Sequence, residues 1–200
     1  HMITVTGGRL TLVNVALELD LSHDLPADGW SLFRVQQAES VELENCSLTI
    51  GNATGRQRVL HAEVSFFEVG AAPGQVAGTA AQLEPLSIEL ANCVARGEAD
   101  FLRSEDLQPC SLVWNNGLLV TTERLLVAVG SRAAPATGRR LHVDLRHLTA
   151  VVRAGFCMLT NTVDGPQQLD AVIQCTNSIL LVDDDAALIE QTGIDTVDAF

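Results

Sequence analysis

The chain has 200 residues, 47% of them apolar, and carries 25 acidic against 12 basic residues for a formal net charge of −13. That length suits one domain with a sizeable core, while a phosphate backbone would be repelled and no Lys/Arg cluster with interleaved aromatics offsets this, so nucleic acid is not expected as a partner. The same balance disfavours an anionic membrane surface, and no stretch approaches ~18 consecutive apolar residues, so no membrane insertion is expected.

His1 and Met2 read as a cloning remnant. Residues 3–200 read as a single domain, expected to be a fragment of a larger protein. Ile3–Thr6 is predicted to be an edge strand unless an upstream segment covers it. The first clear pattern is Leu10-x-Leu12-x-Asn14, and the chain then rewrites it. It returns as Val41-x-Leu43-x-Asn45, Ile88-x-Leu90-x-Asn92, Leu112-x-Trp114-x-Asn116, Val143-x-Leu145-x-His147 and Ile173-x-Cys175-x-Asn177. Six copies of one skeleton mark a repeat protein.

Alternation with period two predicts strands. In each copy the marker Asn shares the parity of the two apolar residues before it, so an unbent strand would point it into the core. Asn also tolerates the left-handed backbone of a sharp turn. Stacked at one strand spacing of about 4.8 Å, such amides would pair with one another. A second alternating run follows each marker: Leu17/Leu19, Leu48/Ile50, Leu119, Ala150/Val152 and Leu180/Val182. A third run completes each copy, at Ser31–Val35, Val64–Val69, Ala99–Arg103, Arg124–Val129, Gly155–Leu159 and Ala187–Gln191.

The markers are 31, 47, 24, 31 and 30 residues apart. Extra residues gather in turn-forming stretches, His23–Gly29, Gly70–Ala80, Ser131–Arg139 and Thr162–Gln168, as loops protruding from a regular stack would. A flat sandwich of hairpins would need two-residue reversals between neighbouring strands. The only Asn-Gly pair, Asn116-Gly117, instead sits at the shared bend.

From Ile3 to about Gln191 the pattern resembles the right-handed parallel β-helix, the pectin-lyase-like fold. The resemblance rests on Asn14, Asn45, Asn92, Asn116 and Asn177, similar to that fold's asparagine ladder; His147 departs from it. It implies an all-β, right-handed, single-stranded parallel β-helix of about five to six coils.

Fold alone does not fix chemistry. Family members that cleave polygalacturonate carry an Asn-Thr-Asp element, an Asp-Asp pair, a Gly-His-Gly and an Arg-Ile-Lys. Here Asn161-Thr162-Val163-Asp164 only approximates the first, and the last two are missing. The lyases of the family use a basic residue with acidic calcium ligands, and no comparable Arg motif is present. Asp183-Asp184-Asp185 is the densest acidic run, yet consecutive strand residues face opposite ways, so a solvated turn is expected in place of a calcium site. Glycoside hydrolysis needs two carboxylates about 5–10 Å apart, for which Asp144 with Asp170 and Asp164 with Asp183 are the pairs to test. His61, His142 and His147 are the histidines with a place in the repeat. Parity puts Leu141 and His142 outward and Val143 inward, and gives His147 a structural role at the marker position. His23 falls in a polar loop.

Cys46, Cys93, Cys110, Cys157 and Cys175 show no zinc spacing and read as small hydrophobes in packed layers. They do not fix the compartment, so localisation stays open. There is no Tyr, and Trp114 occupies an inward repeat position, which lowers the expectation of an aromatic sugar platform. Trp30, Phe33 and Phe101 read as core. No catalytic, cofactor-binding or metal residue is assigned, and no cofactor is expected. The function expected is a non-catalytic scaffold, sensor or interaction module of a larger bacterial-type protein, such as a signalling kinase or surface protein, with a protein partner. The alternative is a carbohydrate-active enzyme or polysaccharide-binding domain.

Overall fold

The computed structural model describes residues 1–22, 29–54, 60–70, 85–132, 134–135 and 138–193. The chain is all-β with parallel sheets. In order the strands are β1 (Ile3–Thr6), β2 (Arg9–Val13), β3 (Ala16–Ser22), β4 (Ser31–Gln36), β5 (Ser40–Glu44), β6 (Ser47–Thr54), β7 (Ser65–Val69) and β8 (Leu86–Gly97). They continue as β9 (Asp100–Ser104), β10 (Cys110–Thr121), β11 (Leu126–Val129), β12 (Arg140–Val152), β13 (Cys157–Thr160), β14 (Asp170–Thr176), β15 (Ile179–Leu181) and β16 (Ile189–Thr192).

Two stacked parallel sheets result. One runs β1-β4-β7-β9-β11-β13-β16; the other runs β14-β12-β10-β8-β5-β2, with β3 paired to β6, β6 to β8, and β15 to β12. The chain passes alternately between the sheets, so each circuit adds one strand to the first and one bent strand, or a pair split at the bend, to the second. Register keeps equivalent residues in columns. Leu10 pairs with Val41, then Ile88, Leu112, Val143 and Ile173 follow. In the other sheet Ile3, Phe33, Phe67, Leu102, Leu126, Cys157 and Ile189 share one column. Among the described residues Ile3–Thr6 lies at the end of its sheet.

All six marker residues adopt left-handed backbone, with φ of 59° at Asn14, 52° at Asn45, 54° at Asn92, 58° at Asn116, 55° at His147 and 49° at Asn177. Asn92 Nδ2 donates to Asn45 Oδ1 at 3.1 Å, and Asn116 Nδ2 donates to Asn92 Oδ1 at 2.8 Å. His147 and Asn177 approach to 3.4 Å in the same position. These side chains are exposed, which corrects the inward orientation expected from parity. The left-handed residue interrupts the alternation, so the marker turns outward and the next residue turns inward. Cys46 and Cys93 fill that inner corner. Each thiol donates to backbone carbonyls, Cys46 to Leu12 O at 3.5 Å and Cys93 to Leu43 O at 3.4 Å. Ser178 acts alike through its hydroxyl on Leu145 O at 3.4 Å. Cys46 and Cys93 are therefore corner donors as well as apolar filler; Cys110 and Cys157 are buried, and Cys175 is exposed, which corrects its expected place in a packed layer.

A run of rings forms the centre. Phe33 stacks on Phe67 at 4.9 Å, Phe67 meets Phe101 edge-on at 5.4 Å, and Phe101 stacks on Trp114 at 4.7 Å. The last contact ties the two sheets together, since Phe101 lies on β9 and Trp114 on β10. Trp114, Phe33 and Phe101 are core residues, and Trp30 is half-buried against them. Leu141 is buried as well, which corrects its outward placement: it shares its face with Val143 two residues on, leaving His142 half-exposed between them.

Candidate functional site

The corner reached seven residues or so after each marker brings three circuits together. On β6, Asn52 is buried, and its side chain spends its hydrogen bonds on backbone. Nδ2 donates to His61 O at 2.9 Å and to Glu98 O at 3.2 Å, while Oδ1 accepts from His61 N at 2.9 Å. The backbone N–H of Asn52 donates to Glu98 Oε2 at 3.0 Å. One circuit further, Thr121 Oγ1 donates to Ala99 O at 2.5 Å and accepts from Glu123 N at 3.1 Å. These bonds frame the corner: Asn52 bonds to Glu98 and Thr121 to Ala99 on neighbouring circuits, while His61 and Glu123 bond within their own.

That frame encloses a cavity of about 360 Å³ lined by Asn52, Leu60, His61, Ala62, Glu63, Val64, Glu98, Asp100 and Glu123. Asp100 opens β9; its N–H donates to Val64 O at 2.9 Å and its Oδ1 accepts from Arg124 N at 3.2 Å. Burial pushes its carboxyl up to about 6, against the Arg124 N–H bond that favours the charged form, and neighbouring Glu123 adds to the rise. Glu63 is held at the rim by Arg103 Nη2 at 2.9 Å. The cavity thus joins a carboxyl that is partly protonated near neutral pH to other carboxylates and an imidazole. Such a set can exchange protons or hydrogen-bond hydroxyl-rich ligands.

Of the histidines singled out from sequence, His61 lines this cavity, His142 is half-exposed, and exposed His147 lies 3.5 Å from Asn115 Oδ1. Asp144 pairs with Arg146. Asp144 lies opposite Gln174 and Asp170 opposite Arg140, so about 13 Å of strand separates those two carboxylates and the pair is not brought together. Asp164 pairs with Arg132. Asp183, Asp184 and Asp185 form an exposed turn closed by Ala186 N to Asp183 O at 3.0 Å. His23, most of Gly70–Ala80 and part of Ser131–Arg139 lie outside the described residues. Among the described residues no group of three or more His, Cys, Asp or Glu is placed to hold a metal ion, and no helix is long and apolar enough to cross a membrane.

Sequence reading missed Asn52, Glu98, Asp100 and Glu123. A signal existed: counted from their own markers, Asn45, Asn92 and Asn116, these residues fall six to eight positions on. Aligning the copies would have placed them at one corner.

A second feature lies on the outer face of the nine-stranded sheet. Leu118, Thr149 and Ile179 form one column and Val120, Val151 and Leu181 another. Leu118, Val120, Ile179 and Leu181 are 37%, 40%, 57% and 52% exposed. This is an apolar strip on three adjoining strands, in a chain whose net charge is otherwise strongly negative. In comparison with known proteins, no family model, no curated protein and no solved structure matches the chain.

Proposed function

We propose that this chain is a non-catalytic scaffold or interaction module, built as a right-handed single-stranded parallel β-helix of the pectin-lyase-like type with an asparagine ladder along one corner. The ladder reading draws support from the Asn45–Asn92–Asn116 hydrogen bonds and the shared left-handed backbone. The observation that carries the module reading is the group of exposed apolar side chains Leu118, Val120, Ile179 and Leu181, which flank Thr149 and Val151 on one sheet face, because apolar side chains gathered on a sheet face suit a protein partner. The parent is read as a larger bacterial-type protein in which the stack holds neighbouring parts at fixed spacing.

A second reading, a carbohydrate-active domain, is favoured by Asp100: a carboxyl raised to about 6 in a cavity beside a second carboxyl, Glu123, has the form of a general acid. A panel of neutral and acidic polysaccharides, read for new reducing ends and unsaturated products, separates the two. The module reading expects no turnover. Turnover that Asp100→Asn abolishes would replace it with the enzyme.

A further inference from the structure

The core columns lose their cover at both ends of the stack. Phe33, Phe67, Leu102, Leu126 and Cys157 are at most 1% exposed, but Ile189, the last member of their column, is 59% exposed. In the other sheet Val41, Ile88, Leu112 and Val143 are buried, while Leu10 and Ile173 at the two ends are only partly so. The same holds for Leu17 and Leu180 at the ends of the column through Leu48, Ala95, Leu119 and Ala150. Among the described residues, β1, β2 and β3 have no strand on one side, and β14, β15 and β16 have none on the other. Unpaired parallel edges are templates for another strand.

The two ends also match. Because these columns keep one register from circuit to circuit, with a shift only further along β3 between Asp20 and Ser22, the last members of the columns are the residues that would sit next to the first members of an identical stack. Ile3 would follow Ile189, Leu10 would follow Ile173, and Leu17 would follow Leu180, apolar on apolar in each case. The backbones run the same way, so β16 can pair with β1, β14 with β2 and β15 with β3 in the parallel register already used throughout.

We propose that the C-terminal end of this stack pairs in parallel register with the N-terminal end of a second copy of the chain, so that copies add head to tail. The inference rests on reading the fold as one coiled stack and names the partner of the module proposed above. Such a contact joins two different surfaces, so the joined pair keeps one open end of each kind and growth does not stop at a dimer. The open-ended geometry differs from a face-to-face dimer through the apolar strip, which would close at two.

Sedimentation velocity from low to high micromolar concentration tests this with three proteins: the wild type, Ile189→Lys and Ile3→Lys. The wild type is expected to shift to progressively larger species with concentration. Each variant blocks one end, and each alone is expected to remain a monomer with wild-type circular dichroism. Mixed, the two are expected to give a one-to-one dimer, through the open N-terminal end of the first and the open C-terminal end of the second. Ile189→Thr, a milder change at an already exposed residue, is expected to weaken growth without abolishing it. A wild type that stays monomeric throughout, or one that stops at a dimer that Ile3→Lys leaves intact, would overturn the proposal. A monomer would leave the module reading standing, whereas polysaccharide turnover would remove that reading and leave the assembly result untouched.

Discussion

An added Cβ at Gly117 would lie 2.1 Å from Trp114 Nε1 and 2.6 Å from Cys93 O, so the glycine exists to make room for the indole three residues before it. Its neighbours at the same corner position are larger: Cys93 on one circuit and Leu148 on the other. Gly117→Ala is expected to destabilise the chain by about 1–3 kcal/mol through overpacking against a rigid ring and a backbone carbonyl. Urea unfolding measures it. Trp114→Leu combined with Gly117→Ala should cost less than the two separate losses added together, since the smaller side chain frees the space.

Asn92 sits in the middle of the corner column, accepting from Asn116 and donating to Asn45. Its backbone is left-handed with φ of 54°. Asn92→Ala loses both side-chain bonds and keeps a Cβ in a conformation that costs about 1–2 kcal/mol per residue, so a loss of about 1–3 kcal/mol is expected. Asn92→Gly loses the same bonds without that backbone penalty and should cost less. Equal thermal shifts for the two variants would show that backbone handedness contributes nothing here.

Stability should depend on pH through Asp100. Its carboxyl rises from 3.8 to about 6 on folding, so the native chain holds the proton more tightly than the unfolded chain does. Stability therefore falls as pH climbs from 3.8 towards 6, and the full penalty, up to about 3 kcal/mol, stands above that range. Asp100→Asn keeps an oxygen for the Arg124 N–H and removes the buried charge. It should raise stability by about 1–3 kcal/mol near neutral pH and change little below about pH 4. Buried Glu68 is raised as well, chiefly by desolvation, so the comparison is made between wild type and variant at each pH. A constant difference across the range would contradict this assignment.

The five thiols divide by access. Cys46, Cys93, Cys110 and Cys157 are buried and Cys175 is exposed. Burial pushes Cys110 up to about 12 and Cys157 up to about 11, and raises Cys93, which leaves little reactive thiolate in any of the three. A thiol reagent should label Cys175 alone in the native chain and all five in denaturant. Labelling at Cys175 should also be slower than for a free thiol, because partial burial and nearby Asp144 oppose its ionisation.

The strands, their parallel stacking and the shared bend were legible because the apolar-x-apolar-x-Asn skeleton encodes both alternation and a tolerated left-handed turn. The outward direction of Asn45 and Asn92 was not. Parity counts hold only along unbroken extended backbone, and one positive φ inverts them. Leu141 illustrates a different failure: strict alternation gives it the face of Val143, two residues on, and it was instead placed on the face of its immediate neighbour His142. The cavity around Asp100 was hidden because burial and a raised carboxyl are properties of three circuits meeting, none of which looks unusual alone. The apolar strip escaped for a similar reason, since Leu118, Val120, Ile179 and Leu181 come from two circuits separated by a third in sequence.

Between Asn92 and Asn116 the chain closes a full circuit in 24 residues, and the register on both sides of it is unbroken. That is the shortest of the five marker-to-marker spacings, 24 residues against 30, 31, 31 and 47, yet every circuit adds one level to each sheet. Height and ornament are consequently separate variables in this molecule. Excising one circuit between equivalent corners would shorten the column by a single strand width, and grafting a loop elsewhere would leave its height alone.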